Sequence, residues 1–147
     1  MKNIIFFLLF FTSLVAFGQV SDSIKVKITG KWAMTKHVLP TADEAMNKII
    51  KETKSTYEFK SDGSYSHTFS QIYEGKLYTV VKEGHWKISS DKKEITLFNS
   101  KFLPPHDKNG IVGDHHLVII KLSKTEFVTN EYYYDEAVPG TSYYKKQ

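Results

Sequence analysis

The sequence predicts an all-β fold, an eight-stranded antiparallel up-and-down barrel with one short helix between the first two strands. Three observations carry this. Short runs rich in Val, Ile, Thr, Tyr and Phe alternate apolar and polar residues. Turn-forming residues separate them at Ser61-Asp62-Gly63, Glu74-Gly75 and Ser89–Lys93. The strand candidates number eight and follow one another as a mostly consecutive meander. Eight is the count at which a sheet closes with room for side chains and one small ligand.

In chain order, the first segment sets an expected compartment. Lys2 precedes an apolar run from Ile4 to Phe11, and Ala16-Phe17-Gly18 supplies small residues two apart. This is the layout of a secretory signal peptide with cleavage before Gln19. A spanning helix needs roughly 20 apolar residues, whereas this run breaks at Thr12 and Ser13. The expectation is a signal peptide over residues 1–18 and one domain over 19–147, exported to the periplasm or secreted, with no membrane span after cleavage.

Ile28 to Val38 reads as the first strand. A helix over residues 42–52 follows, with Thr41 as cap, Glu44 completing a capping box and Ala42, Ala45, Met46, Ile49 and Ile50 on one stripe. That stripe must pack on the mouth or side of the barrel. Tyr57-Glu58-Phe59 and Tyr65–Phe69 are the next two strands. A two-residue turn between them would mix their faces. The three-residue loop Ser61-Asp62-Gly63 sets Phe59 opposite Tyr65 and Tyr57 opposite His67, with Gly63 supplying the left-handed residue. Glu74-Gly75 as a two-residue turn pairs Gln71 with Tyr78 and Phe69 with Val80. The even positions then run Tyr78, Val80, Lys82, Gly84, Trp86, Ile88. Either the strand bulges near Glu83-Gly84, or Lys82 points into an interior that is not fully dry. Ile95 and Leu97 resume the alternation, residues 100–114 read as a long loop, and strands follow at Leu117–Leu122, Glu126–Tyr134 and Thr141–Lys146.

Composition narrows the function classes. The chain has no cysteine, so no disulfide or lipidated N-terminal Cys is available. Without residues 1–18 it carries 19 Lys against 16 acidic residues and no arginine. Arginine is the usual fork for phosphate and guanine, and the lysines are scattered among acids, so no nucleic acid partner is implied.

Gly30-Lys31-Trp32, Asp62-Gly63-Ser64-Tyr65 and Gly84-His85-Trp86-Lys87-Ile88 resemble the lipocalin-like domains of bacterial envelopes, over roughly residues 28–146. The resemblance implies a calycin-type barrel whose closed end is plugged by Trp32. The arginine that packs over that tryptophan in lipocalins is absent, and only a lysine can substitute. The Thr-Asp-x-x-Tyr motif is distorted into Thr129-Asn130-Glu131-Tyr132-Tyr133.

The inward, ligand-binding set expected from the alternation is Tyr57, Phe59, Tyr65, His67, Phe69, Tyr78, Lys82, Trp86 and Phe127, with Tyr133 beside it. It describes either a cavity with aromatic walls, suited to a small hydrophobic or amphipathic molecule, or a filled core. His67 and Lys82 discriminate, because burying them dry costs several kcal/mol unless they are paired. His106, Asp107, Asp114, His115 and His116 surround one loop without metal-ligand spacing, and adjacent strand histidines point to opposite faces. No metal, cofactor or catalytic group is implied, since no nucleophile motif occurs and Glu58 and Glu131 read as strand decoration. Tyr132–Tyr134 and Tyr143-Tyr144 leave open an outward patch for an envelope protein partner.

Overall fold

The computed structural model describes residues 23–73, 76–104, 111–131 and 139–147. The proposed leader, the Glu74-Gly75 turn, His106, Asp107 and Tyr132–Tyr134 lie outside them. Residues 23–28 are helical (α1). They are followed by β1 (Gly30–Val38), α2 (Glu44–Glu52), β2 (Ser55–Phe59), β3 (Ser64–Tyr73) and β4 (Lys76–Ile88). Then come β5 (Glu94–Phe102), β6 (Ile111–Val112), β7 (His115–Leu122), β8 (Glu126–Glu131) and β9 (Gly140–Lys146). Every strand pairing is antiparallel. The order β4-β3-β2-β1-β9-β8-β7-β5, with β5 back on β4, closes a ring of eight. The two-residue β6 adds only to the edge of β5. Closure leaves the eight ring strands no free edge.

The two derived hairpin registers hold. Phe59 pairs with Tyr65 and Tyr57 with His67, with Gly63 at φ +87°. Gln71 pairs with Tyr78 and Phe69 with Val80. β1 starts at Gly30 rather than Ile28. Ile28 ends α1 instead and is wholly buried under the closed end.

That end is plugged by Trp32, whose Nε1 donates to the Ile28 carbonyl at 2.6 Å. Lys146 takes the place of the missing arginine. Its Nζ sits 5.1 Å from the centre of the Trp32 ring and donates to the Lys27 carbonyl at 3.1 Å. Gly30 makes room for this stem, since a Cβ there would lie 2.7 Å from Lys146 Cε. Around Trp32 the rings of Phe59, Trp86, Phe127, Tyr57 and Tyr144 pack at centroid separations of 5.4–6.3 Å, mostly tilted or edge-on. Ile95, Leu97 and Leu117 complete this core.

Lys82 points inward, and a bulge is also present, though not in β4. The β3–β4 register runs unbroken through Gly84, while β5 carries one extra residue between Phe98 and Lys101. Asn99 absorbs it at φ +50°. The bulge brings β5 backbone against Gly84, where a Cβ would meet Phe98 O at 2.8 Å and Tyr65 Cε1 at 3.0 Å. β5 extends to Phe102, into what reads as loop in the sequence.

The helix also departs from expectation. Its cap is Asp43, whose Oδ1 accepts from Met46 N at 2.8 Å, because Thr41 lies in a turn closed by Ala42 N donating to Leu39 O. Its apolar stripe is not packed down. No residue of α2 is buried, and Met46 and Ile49 are 44 % and 37 % exposed. No helix among the described residues is long and apolar enough to cross a membrane.

Candidate functional site

Strand register assembles one row of side chains across the barrel. Trp32 pairs with Tyr57, Tyr57 with His67, His67 with Lys82, and Lys82 with Phe102. Directly opposed residues share a face with their Cβ atoms about 5 Å apart. On one side of this row lies the aromatic core of the closed end. On the other side β1, β8, the β2–β3 pair and the Lys76 end of β4 run on towards the end where α2 joins Val38 to Ser55, while β5 stops on the row at Phe102.

His67 is held by its neighbours. Its ring stacks on Tyr57 at 3.9 Å and on Phe69 at 4.6 Å between centroids. Nε2 shares a hydrogen bond of 2.8 Å with Ser55 Oγ. Nδ1 is shut off from solvent and has no hydrogen-bond partner among the described residues. Burial, seconded by the Lys82 ammonium, lowers the imidazole to about 3 from the ordinary 6.5, so the ring is neutral at physiological pH. Although the Ser55–His67 spacing is that of a nucleophile and its base, so weak a base cannot activate a hydroxyl at neutral pH. No carboxylate orients Nδ1 either.

Lys82 is 8 % exposed and makes no hydrogen bond or ion pair within 4 Å among the described residues. Burial lowers the pKa of its ammonium, with Glu131 pulling the other way. Glu131, by contrast, is well supplied. Its Oε1 accepts from Thr129 Oγ1 and Tyr144 OH, each at 3.0 Å, and Oε2 lies 3.6 Å from His115 Nε2. Burial pushes this carboxyl up, but His115, His67 and the Thr129 hydrogen bond outweigh it and hold the group at about 2. Nearby, Tyr65 OH and Ser100 Oγ share a buried hydrogen bond of 2.6 Å, and Ser142 meets His37 Nδ1 at 2.9 Å.

The residues expected to face inward divide between two environments. Tyr57, Phe59, Tyr65, Trp86 and Phe127 are buried in the packed half. His67, Phe69 and Lys82 lie on the row and above it. Tyr78 sits where β3 and β4 pair only with each other, beyond the last β2 and β5 partners, and is 38 % exposed. His115 and His116 do point oppositely, one to Glu131 and the other to Glu94 at 2.6 Å. No group of three metal-binding side chains occurs among the described residues. Glu131 is not strand decoration. It continues the buried face of Phe127 and Thr129, and only the fold brings it the His115 and Tyr144 that make an interior carboxylate tolerable.

The row therefore sets a neutral imidazole, stacked between Tyr57 and Phe69 and with one nitrogen unsatisfied among the described residues, directly across from Lys82. Such a surface can hold a polar or anionic group against an apolar wall. Among known protein families, one described as a lipocalin-like domain matches residues 28–129, well over half of the chain. No curated protein matches the chain.

Proposed function

The chain belongs to the lipocalin-like domain family, and on that premise we propose that it holds a small apolar or amphipathic molecule in the open half of its barrel. The barrel itself supports a binding role, and the reading adds where the ligand sits and what it is. One observation carries it. The closed half is packed with rings, whereas the row above holds the buried side chain of Lys82 and, among the described residues, a His67 Nδ1 without a hydrogen-bond partner. Burying such groups costs several kcal/mol unless they are paired, and a ligand with a polar end pairs them. α2 is the lid. It joins the two strand ends at the mouth, and its exposed Met46 and Ile49 supply apolar surface for the emerging end of a ligand. The protein acts outside the cytoplasm, on the strength of Lys2, the apolar run and Ala16-Phe17-Gly18. It binds and does not catalyse.

Native mass spectrometry of protein purified from the envelope fraction, paired with organic extraction, tests the reading. A single small species bound one to one is expected. Protein that is always apo, or protein retained in the cytoplasm with residues 1–18 intact, contradicts the binding and export parts respectively.

A second reading has its own observation. Ile120 and Tyr143 are 57 % and 37 % exposed and flank Val128, which pairs with Tyr143 and Lys121, making an apolar stripe across the outer face of β7, β8 and β9. An envelope protein partner would dock there. Pull-down with Tyr143→Lys as the control distinguishes it.

A further inference from the structure

We infer that two copies of this chain form a two-fold dimer by pairing the projecting end of β4, residues 77–80, antiparallel with the same segment of the second copy. The inference does not depend on what the barrel holds. Closure protects strand edges only where the eight strands overlap. β5 last pairs with β4 at Phe102 and Lys82, and Leu103 N then donates to the Val81 carbonyl at 2.9 Å. From Val80 to Lys76, β4 has β3 on one side and no strand on the other among the described residues.

The register fixes which groups this edge offers. In an antiparallel ladder one residue sends its N–H and C=O to one neighbouring strand and the next residue sends them to the other. The Val81 carbonyl faces β5, whereas Trp86 N donates to Gly63 O on the β3 side, so odd positions of β4 face outward and even ones face β3. Leu77 and Thr79 therefore present two donors and two acceptors along the edge. Val80, Tyr78 and Lys76 turn their backbone groups to β3.

These groups match a second copy in one register. Antiparallel pairing centred on Tyr78 sets Leu77 opposite the partner's Thr79, and Thr79 opposite the partner's Leu77. Each pair exchanges two N–H···O bonds, so every edge group of both copies is used. A centre at Val80 would call on Val81 in place of Leu77, and the Val81 carbonyl already accepts from Leu103. The side chains suit the same register. Leu77-Tyr78-Thr79-Val80-Val81 has high β-propensity and contains no charge, proline or glycine to guard the edge. Lys76 falls opposite Val80, so no like charges meet, and the 53 % exposed Leu77 gains cover. The two-fold also uses the edge up, which stops growth at the dimer. A ribbon contact this small belongs to the weak, reversible class.

Sedimentation velocity of wild type, Thr79→Pro and Thr79→Ala from about 10 μM to 1 mM reads the association. Wild type should shift from monomer to dimer with concentration. Proline at 79 removes an outward N–H and leaves the β3–β4 ladder intact, so both pairs lose a bond and the dissociation constant should rise at least about tenfold. Thr79→Ala keeps the N–H and should stay within a few-fold of wild type. Introduced cysteines report the register, since the chain has none of its own. Tyr78→Cys places two Cα atoms about 4.5 Å apart, within disulfide reach, whereas two copies of Thr79→Cys lie diagonally at about 7–8 Å. The first should oxidise to covalent dimer at least about tenfold faster. A wild type that stays monomeric throughout, a Thr79→Pro variant that dimerises as tightly, or equal cross-linking at 78 and 79 each overturns the inference. Should Thr79→Pro fail to fold, as judged by circular dichroism, the cysteine comparison decides.

Discussion

Acid removes stability from this barrel in two stages, and replacing His67 by glutamine abolishes the first. Burial, with Lys82 and His115 adding to it and Glu131 opposing, holds the His67 imidazole at about 3. The unfolded chain takes up that proton near 6.5, so the folded pKa lies below the unfolded one. The contribution is complete above pH 6.5 and is lost as pH falls from there towards 3. One differential proton changes stability by about 1.4 kcal/mol per pH unit, which makes the loss between pH 6 and pH 4 about 2–3 kcal/mol. Glu131 gives the second stage. Its folded pKa, about 2, lies below its ordinary 4.5, so its share disappears between those values. Glutamine at 67 keeps a polar group for Ser55 and cannot titrate. Urea unfolding of wild type and His67→Gln at pH 6, 5 and 4 measures the difference. Wild type should lose about 2–3 kcal/mol more than the variant over that range. Parallel losses would show that the folded ring accepts its proton normally, and the burial argument for the row would fail.

Three further outcomes follow from the packing. Gly84→Ala forces a Cβ against the bulged β5 backbone at 2.8 Å and should lower stability by about 1–3 kcal/mol in the same urea assay, an overpacking cost. Lys146→Met removes both the contact over Trp32 and the hydrogen bond to Lys27 and should cost about 1 kcal/mol, whereas Lys146→Arg, which restores the residue type lipocalins use there, should match wild type in thermal melting. Amide hydrogen exchange should be faster throughout α2 than in β2 or β8, since none of its residues is buried. Strand-like protection of the helix would mean that it packs on the barrel.

Hairpin registers were legible from the sequence because a slip of one residue turns a whole apolar face to water, which Phe59, Tyr65 and Phe69 do not permit. The same alternation carried Lys82 to the interior, and the absence of arginine already implied a lysine over Trp32. What stayed hidden depended on partners distant in the chain. The bulge could not be assigned to β5, since it answers a close approach between Gly84, Tyr65 and Ser100 from three strands. Its only local trace is Asn99, a residue type that tolerates positive φ. Glu131 was hard to place for the same reason. Its inward position follows from period two, but its tolerance depends on His115 and Tyr144, which reach it from β7 and β9. Asp43 and Thr41 are both good caps by residue type, and the turn from Leu39 to Ala42 decided between them.

The claim at the centre is that ligand enters the mouth and stops on the row of Tyr57, His67 and Lys82. Chemical-shift mapping of the labelled protein titrated with dodecanoate measures this directly. Shifts should concentrate at Tyr57, His67, Phe69 and Lys82, reach Met46 and Ile49, and spare Ile28, Trp32 and Trp86. Shifts confined to the outer stripe of Ile120 and Tyr143, or centred on Trp32, would contradict it.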